Sequence, residues 1–81
     1  MKVDIRLFAR AKDLVGADAV SLDIPDGARV IDLRRWLAEA HPALAGLLER
    51  SAIAVNNEFV EEDFVLSTGA EIALLPPVSG G

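Results

Sequence analysis

Cysteine is absent from this 81-residue sequence, which removes disulfide bridges, thiolate nucleophiles and thiolate metal sites. Histidine occurs once, at His41, so a multi-histidine metal centre is excluded, and its place before Pro42 reads as the end of a helix. No apolar run approaches the ~20 residues that a membrane-spanning helix needs. The opening MKVDIRLF interleaves charged with apolar residues, unlike a signal segment, so a cytoplasmic location is expected. Neither G-x-x-x-x-G-K-[ST] nor G-x-G-x-x-G occurs, leaving no phosphate-cradling loop. Ser21, Ser51, Ser67 and Ser79 have no patterned histidine base, which argues against a hydrolase triad. Lysine and arginine are few and scattered within a net charge of −5, whereas nucleic-acid binding relies on basic patches. Neither nucleic acid nor a membrane is an expected partner, and no metal or cofactor is expected on the chain itself.

What remains suits one small folded domain: 52% of residues are hydrophobic and 26% charged. Val3, Ile5 and Leu7 alternate with Asp4, Arg6 and Phe8, as in a strand with one face on a core. Val20, Leu22 and Ile24 repeat the pattern. Between them AKDLVGAD is polar and carries Gly16, a connection with room for a helical turn. After the Pro25-Asp26-Gly27 turn signal, Val30, Leu33, Leu37 and Ala40 fall on one helical stripe. Asp32 lies in its first turn, where a negative charge complements the helix dipole. Trp36 sits beside the stripe, as a core-edge residue would. PALAGLLER reads as a short second helical stretch with Pro42 at its start. IAVN at 53–56 reads as a third strand, Asn57 as a turn, and Glu58-Phe59-Val60 as the return. Glu61, Glu62 and Asp63 form a small acidic run, expected in a solvated loop. After the Ser67-Thr68-Gly69 turn, 71–75 forms the last strand. One main helix over one face of a small mixed sheet is the economical packing. The expected fold is α+β, a β-grasp (ubiquitin-like) domain over 1–75 with an extended tail over 76–81.

The tail reads PPVSGG. Pro76 and Pro77 favour an extended backbone and donate no N–H to a ladder. Gly80 and Gly81 lack Cβ, so they fit a channel too narrow for side chains. Extended, Pro76, Pro77, Val78, Ser79, Gly80 and Gly81 reach roughly 20 Å. That geometry suits a terminal carboxylate delivered into a buried active site. Strand parity gives a second clue. Phe8 and Leu75 point away from the helix on strands expected to be neighbours, and Phe59 in the hairpin return extends the same face. Exposed apolar area with aromatic anchors marks an interface.

RLFARAKDLVG, IAVNNEFV and PPVSGG together resemble the family of small, sulfur-carrying subunits of molybdopterin synthase, and the resemblance covers the whole chain. It implies that Gly81 is adenylated by an enzyme of the ubiquitin-activating type, which uses ATP and Mg, and then carries a thiocarboxylate. It further implies that the tail enters the large subunit and gives sulfur to a pyranopterin precursor, while Phe8, Phe59 and Leu75 dock the two partners in turn. The chain would be the non-catalytic, sulfur-donating member of a heterotetramer. Departures at Lys12 and at Leu74-Leu75 bear on partner contacts. Three other readings stay open: a carrier for the thiazole of thiamine, a modifier joined through Gly81 to lysines, and a plain interaction module.

Overall fold

The computed structural model describes residues 1–77. β1 (Lys2–Leu7) follows its alternation, with Val3, Ile5 and Leu7 buried and Lys2, Asp4 and Arg6 exposed. β2 (Ala19–Asp23) runs antiparallel to it, pairing Val3 with Leu22 and Ile5 with Val20. Ile24 lies just beyond β2 rather than inside it, yet is buried.

The segment between these strands is more regular than the sequence suggests. Ala9–Val15 forms a seven-residue helix, α1. It buries only Ala11, so it carries no apolar stripe for periodicity to reveal. Gly16 ends it in a left-handed conformation at φ 80°, its N–H donating to the Lys12 carbonyl at 2.8 Å.

α2 (Val30–Ala40) is the main helix. The Asp32 carboxylate accepts the Arg29 backbone N–H at 3.1 Å, which satisfies a donor ahead of the first turn. Val30, Leu33 and Leu37 are wholly buried, and each such side chain contributes roughly 1.5–3 kcal/mol. Ala40, expected on the same stripe, is exposed at the helix end. Trp36, one turn earlier, packs half-buried against the core and occupies that side with a much larger side chain. His41 caps the helix, its N–H bonded to the Leu37 carbonyl. A 3₁₀ turn at Pro42–Leu44 and α3 (Ala45–Leu48) follow, burying Leu44, Leu47 and Leu48.

β3 (Ala52–Val55) and β4 (Glu58–Phe59) form a hairpin. β3 starts one residue earlier than expected, and Asn56 already belongs to the turn: Asn56 and Asn57 both take positive φ, 51° and 69°, the geometry of a two-residue hairpin loop. β5 (Glu71–Leu75) completes a five-stranded sheet in the order β2-β1-β5-β3-β4. β5 runs parallel to β1 and antiparallel to β3. The inward residues of β1, β3 and β5 share one core cluster with those of α2, so the helices cover one face and leave the other open. This mixed sheet grasping one main helix is the β-grasp arrangement.

Candidate functional site: the open sheet face and the tail it leads to

Register lays out the open face row by row. Ala19, Arg6, Ala73, Ala54 and Phe59 are successive cross-strand partners through all five strands. Ala54 is only 5% exposed yet lies outside the core cluster, as expected for a small residue sunk between larger ones on the outer face. The sequence places Phe8, Phe59 and Leu75 on this face. Phe8 is 39% and Phe59 74% exposed, while Leu75 is half-buried.

Their arrangement is a bracket rather than one cluster. Leu7 pairs with Leu74, so Phe8 and Leu75 occupy the next positions along adjacent parallel strands. Phe59 stands on the far edge strand, three strand spacings from β1, or roughly 14 Å. Small Ala73 and Ala54 floor the space between. Beside Phe8 a hollow of about 220 Å³ opens, lined by Arg6, Phe8, Asn57, Glu71 and Ala73 among others. The Arg6 guanidinium lies 5.9 Å from the centroid of the Phe8 ring, within cation–π range. Arg6, Asn57, Glu71 and Ala73 escaped the sequence reading, because residue types do not announce which positions a register brings together. Parity alone was the available signal, and it does put Arg6 on the side of Phe8.

Charge collects on the β1–β2 side of this face. A groove of about 420 Å³ is bordered by Lys2, Asp4, Arg6, Asp18 and Glu71. Ser21 donates its hydroxyl proton to the Asp4 carboxylate. Lys12 Nζ sits 2.8 Å from the Asp18 carboxylate. That hydrogen bond, reinforced by the opposite charge, holds the Asp18 carboxyl below its ordinary range and raises the Lys12 ammonium above its own.

The acidic run is only partly free. Glu62 takes a forked ion pair from Arg34, whose Nε and Nη2 donate at 2.7 and 2.9 Å. Ser51 is the one buried polar residue among those described, and its hydroxyl donates to the Leu47 carbonyl at 2.7 Å. Among the described residues no three acidic or histidine side chains group to hold a metal ion, and no helix is long and apolar enough to cross a membrane. What this face offers is shape, apolar anchors and charge for a macromolecular surface.

β5 stops at Leu75, beside Phe8. Pro76 is half-buried and Pro77 exposed. The remaining tail positions, Val78, Ser79, Gly80 and Gly81, lie outside the described residues. The chain therefore leaves the sheet at the end that carries Phe8 and Leu75.

The sequence matches the ThiS family over residues 5–81. It is 39% identical over 80 residues to the molybdopterin synthase sulfur carrier subunit of Dictyostelium discoideum, covering 95% of this chain and 93% of that one. The fold superimposes on SAMP1, small archaeal modifier protein 1, of Haloferax volcanii with a TM-score of 0.87, at 30% identity and full coverage of both chains. A solved complex of subunits 1 and 2 of the molybdopterin-converting factor of Helicobacter pylori contains a chain that matches at a TM-score of 0.69, 27% identity and full coverage of both. With all but its first four residues matched, this chain belongs to the ThiS family.

Proposed function

We propose that the chain is the sulfur carrier subunit of a molybdopterin synthase, working in the cytoplasm. The observation that carries this reading is near-full-length similarity to a protein of that name. The solved pairing of a similar chain with a second subunit supports a large-subunit partner. The chemistry follows from the tail. A carboxylate resists nucleophiles, so a separate enzyme of the ubiquitin-activating type spends ATP, with Mg, to convert the Gly81 carboxylate to an acyl-adenylate and release pyrophosphate. A hydrosulfide equivalent then attacks the acyl carbon and AMP leaves, giving the thiocarboxylate. Inside the large subunit that sulfur attacks a carbon of the pyranopterin precursor and displaces an oxygen substituent from it. Water then cleaves the acyl–sulfur bond, restoring the Gly81 carboxylate and leaving the sulfur on the precursor. A dithiolene holds two sulfurs, so each product consumes two loaded carriers. Gly80, Ser79, Val78, Pro77 and Pro76 form the inserted tail. Phe8, Leu75 and Phe59 dock each partner in turn, and the chain contributes no catalytic group beyond the sulfur it brings.

The test is reconstitution with the activating enzyme, ATP, a sulfide source and the large subunit. Intact mass is expected to rise by the difference between sulfur and oxygen, and precursor turnover to follow. A chain lacking Gly81, or ending in an amide, is expected to keep its fold and lose both. Turnover by the blocked chain would refute the mechanism. The likeness to an archaeal modifier protein favours a second reading, conjugation of Gly81 to lysines of other proteins. That reading requires adducts heavier by a whole chain, which the same spectra would reveal.

A further inference from the structure

Six described residues take positive φ. Five are glycine or asparagine, the residues that adopt this conformation most readily. The sixth is Ala9, at φ 49°, where an L-residue with a Cβ meets steric resistance. This exception directly follows Phe8.

The surroundings show what the conformation accomplishes. Leu7 ends β1 with its side chain in the core and its N–H bonded to the Asp18 carbonyl at 2.8 Å. Phe8 is still extended, at φ −129° and ψ 156°, so it keeps the strand's parity and faces the open side. Two residues past Ala9, Ala11 is fully buried, and its N–H donates to the Phe8 carbonyl at 3.1 Å. The chain therefore passes from strand to helix through a single residue. A relaxed connection needs more residues, and Phe8 would then sit in a loop rather than at the end of a strand. α1 is also fastened at its far end, by the Gly16 cap and the Lys12–Asp18 pair. Backbone held in a disfavoured region persists only where its neighbours over-determine it, and such sites gather where a precise geometry is needed.

We propose that Ala9 is a positioning residue: its left-handed backbone fixes Phe8 in advance as a docking anchor for the partner protein. This deepens the carrier reading and rests on it. A pre-ordered anchor spares the ordering cost that binding otherwise carries. The Cβ of Ala9 matters as well, because glycine would satisfy φ 49° but leave the backbone free to adopt others.

The test uses the full chain, its large synthase subunit and two variants. Ala9→Gly is expected to keep or raise Tm, since strain is relieved. It should also lower backbone amide order parameters at residues 8–10 in the free chain and weaken large-subunit binding about fivefold. Ala9→Asn tolerates the same φ with a side chain and is expected to bind within about twofold of wild type. Wild-type affinity and unchanged order parameters in Ala9→Gly would overturn the inference while leaving the carrier reading intact. So would a loss of binding that merely tracks a loss of Tm, or a loss equal in both variants. A wild-type chain that fails to bind the large subunit removes the carrier reading, and this inference with it.

Discussion

Arg34 ties α2 to the end of α3 and to the acidic loop through its side chain, beside the backbone bond from Ile31 N–H to the Glu62 carbonyl at 3.0 Å. Its Nη1 donates to the carbonyls of Leu48 and Ser51 at 2.6 and 2.8 Å, while the rest of the fork grips Glu62. Arg34→Ala takes a donor from two part-buried carbonyls and an acid, leaving the Leu48 carbonyl only the Ser51 N–H at 3.3 Å, and is expected to cost about 2–3 kcal/mol in urea unfolding. Lysine cannot reproduce the planar fork, so Arg34→Lys should recover less than half of that loss. Glu62→Gln should cost only about 0.5 kcal/mol, because Glu62 is 48% exposed and solvent competes for it. Phe8 makes the opposite case. Partly exposed on the open face, Phe8→Asp is expected to shift unfolding by less than about 1 kcal/mol while abolishing measurable binding to the large subunit. A collapse of its circular dichroism would instead make Phe8 a core residue.

At the scale of elements, the helix and the hairpin carry separate predictions. Leu37→Ala empties a fully buried site under α2 and should cost about 2–5 kcal/mol. Ile31→Ala, at a position 57% exposed on the same helix, should cost well under 1 kcal/mol. In the β3–β4 turn, Asn57→Ala loses a residue suited to positive φ, at about 1 kcal/mol. Asn56→Ala should cost more, since the Asn56 side-chain oxygen also accepts the Glu71 N–H at 3.0 Å. These elements were legible in the sequence wherever a side-chain period met a core. The strands of Val3–Leu7 and Ile72–Leu74 and the stripe of α2 announce themselves in that way. α1 was not legible, because a helix that buries one alanine writes no period. The site divides similarly. Parity finds Phe8, Phe59 and Leu75, but the alanine floor and the Arg6–Glu71 rim exist only once strands from distant segments are set in register. Arg34 was missed for a related reason: it lies on α2 while its partner Glu62 lies on the loop after β4, at no helical or strand spacing.

For the whole molecule, pH dependence is expected to be slight and its sign is fixed by Lys12 and Asp18. The folded Asp18 carboxyl sits below its ordinary range. Its contribution is therefore present above the unfolded carboxylate range and lost as pH falls through the lowered value. The folded Lys12 ammonium sits above its ordinary range. Its contribution is present below the unfolded lysine range and lost as pH rises through the raised value. Across neutral pH both persist, so Asp18→Asn should lower Tm slightly at pH 7. The difference should close in strong acid and shrink in high salt, because the pair is exposed to solvent.

β5 has one more consequence. Among the described residues it is the last strand to be synthesised, yet it lies between β1 and β3, and without it the sheet falls into two halves with no shared ladder. A nascent chain halted before residue 71 therefore has no route to the native state, however well its earlier segments are made. Ribosomal output becomes foldable only when β5 clears the exit tunnel. Until then the open face lacks the strand that sets Ala73 between Arg6 and Ala54, so a half-made molecule has no continuous outer surface.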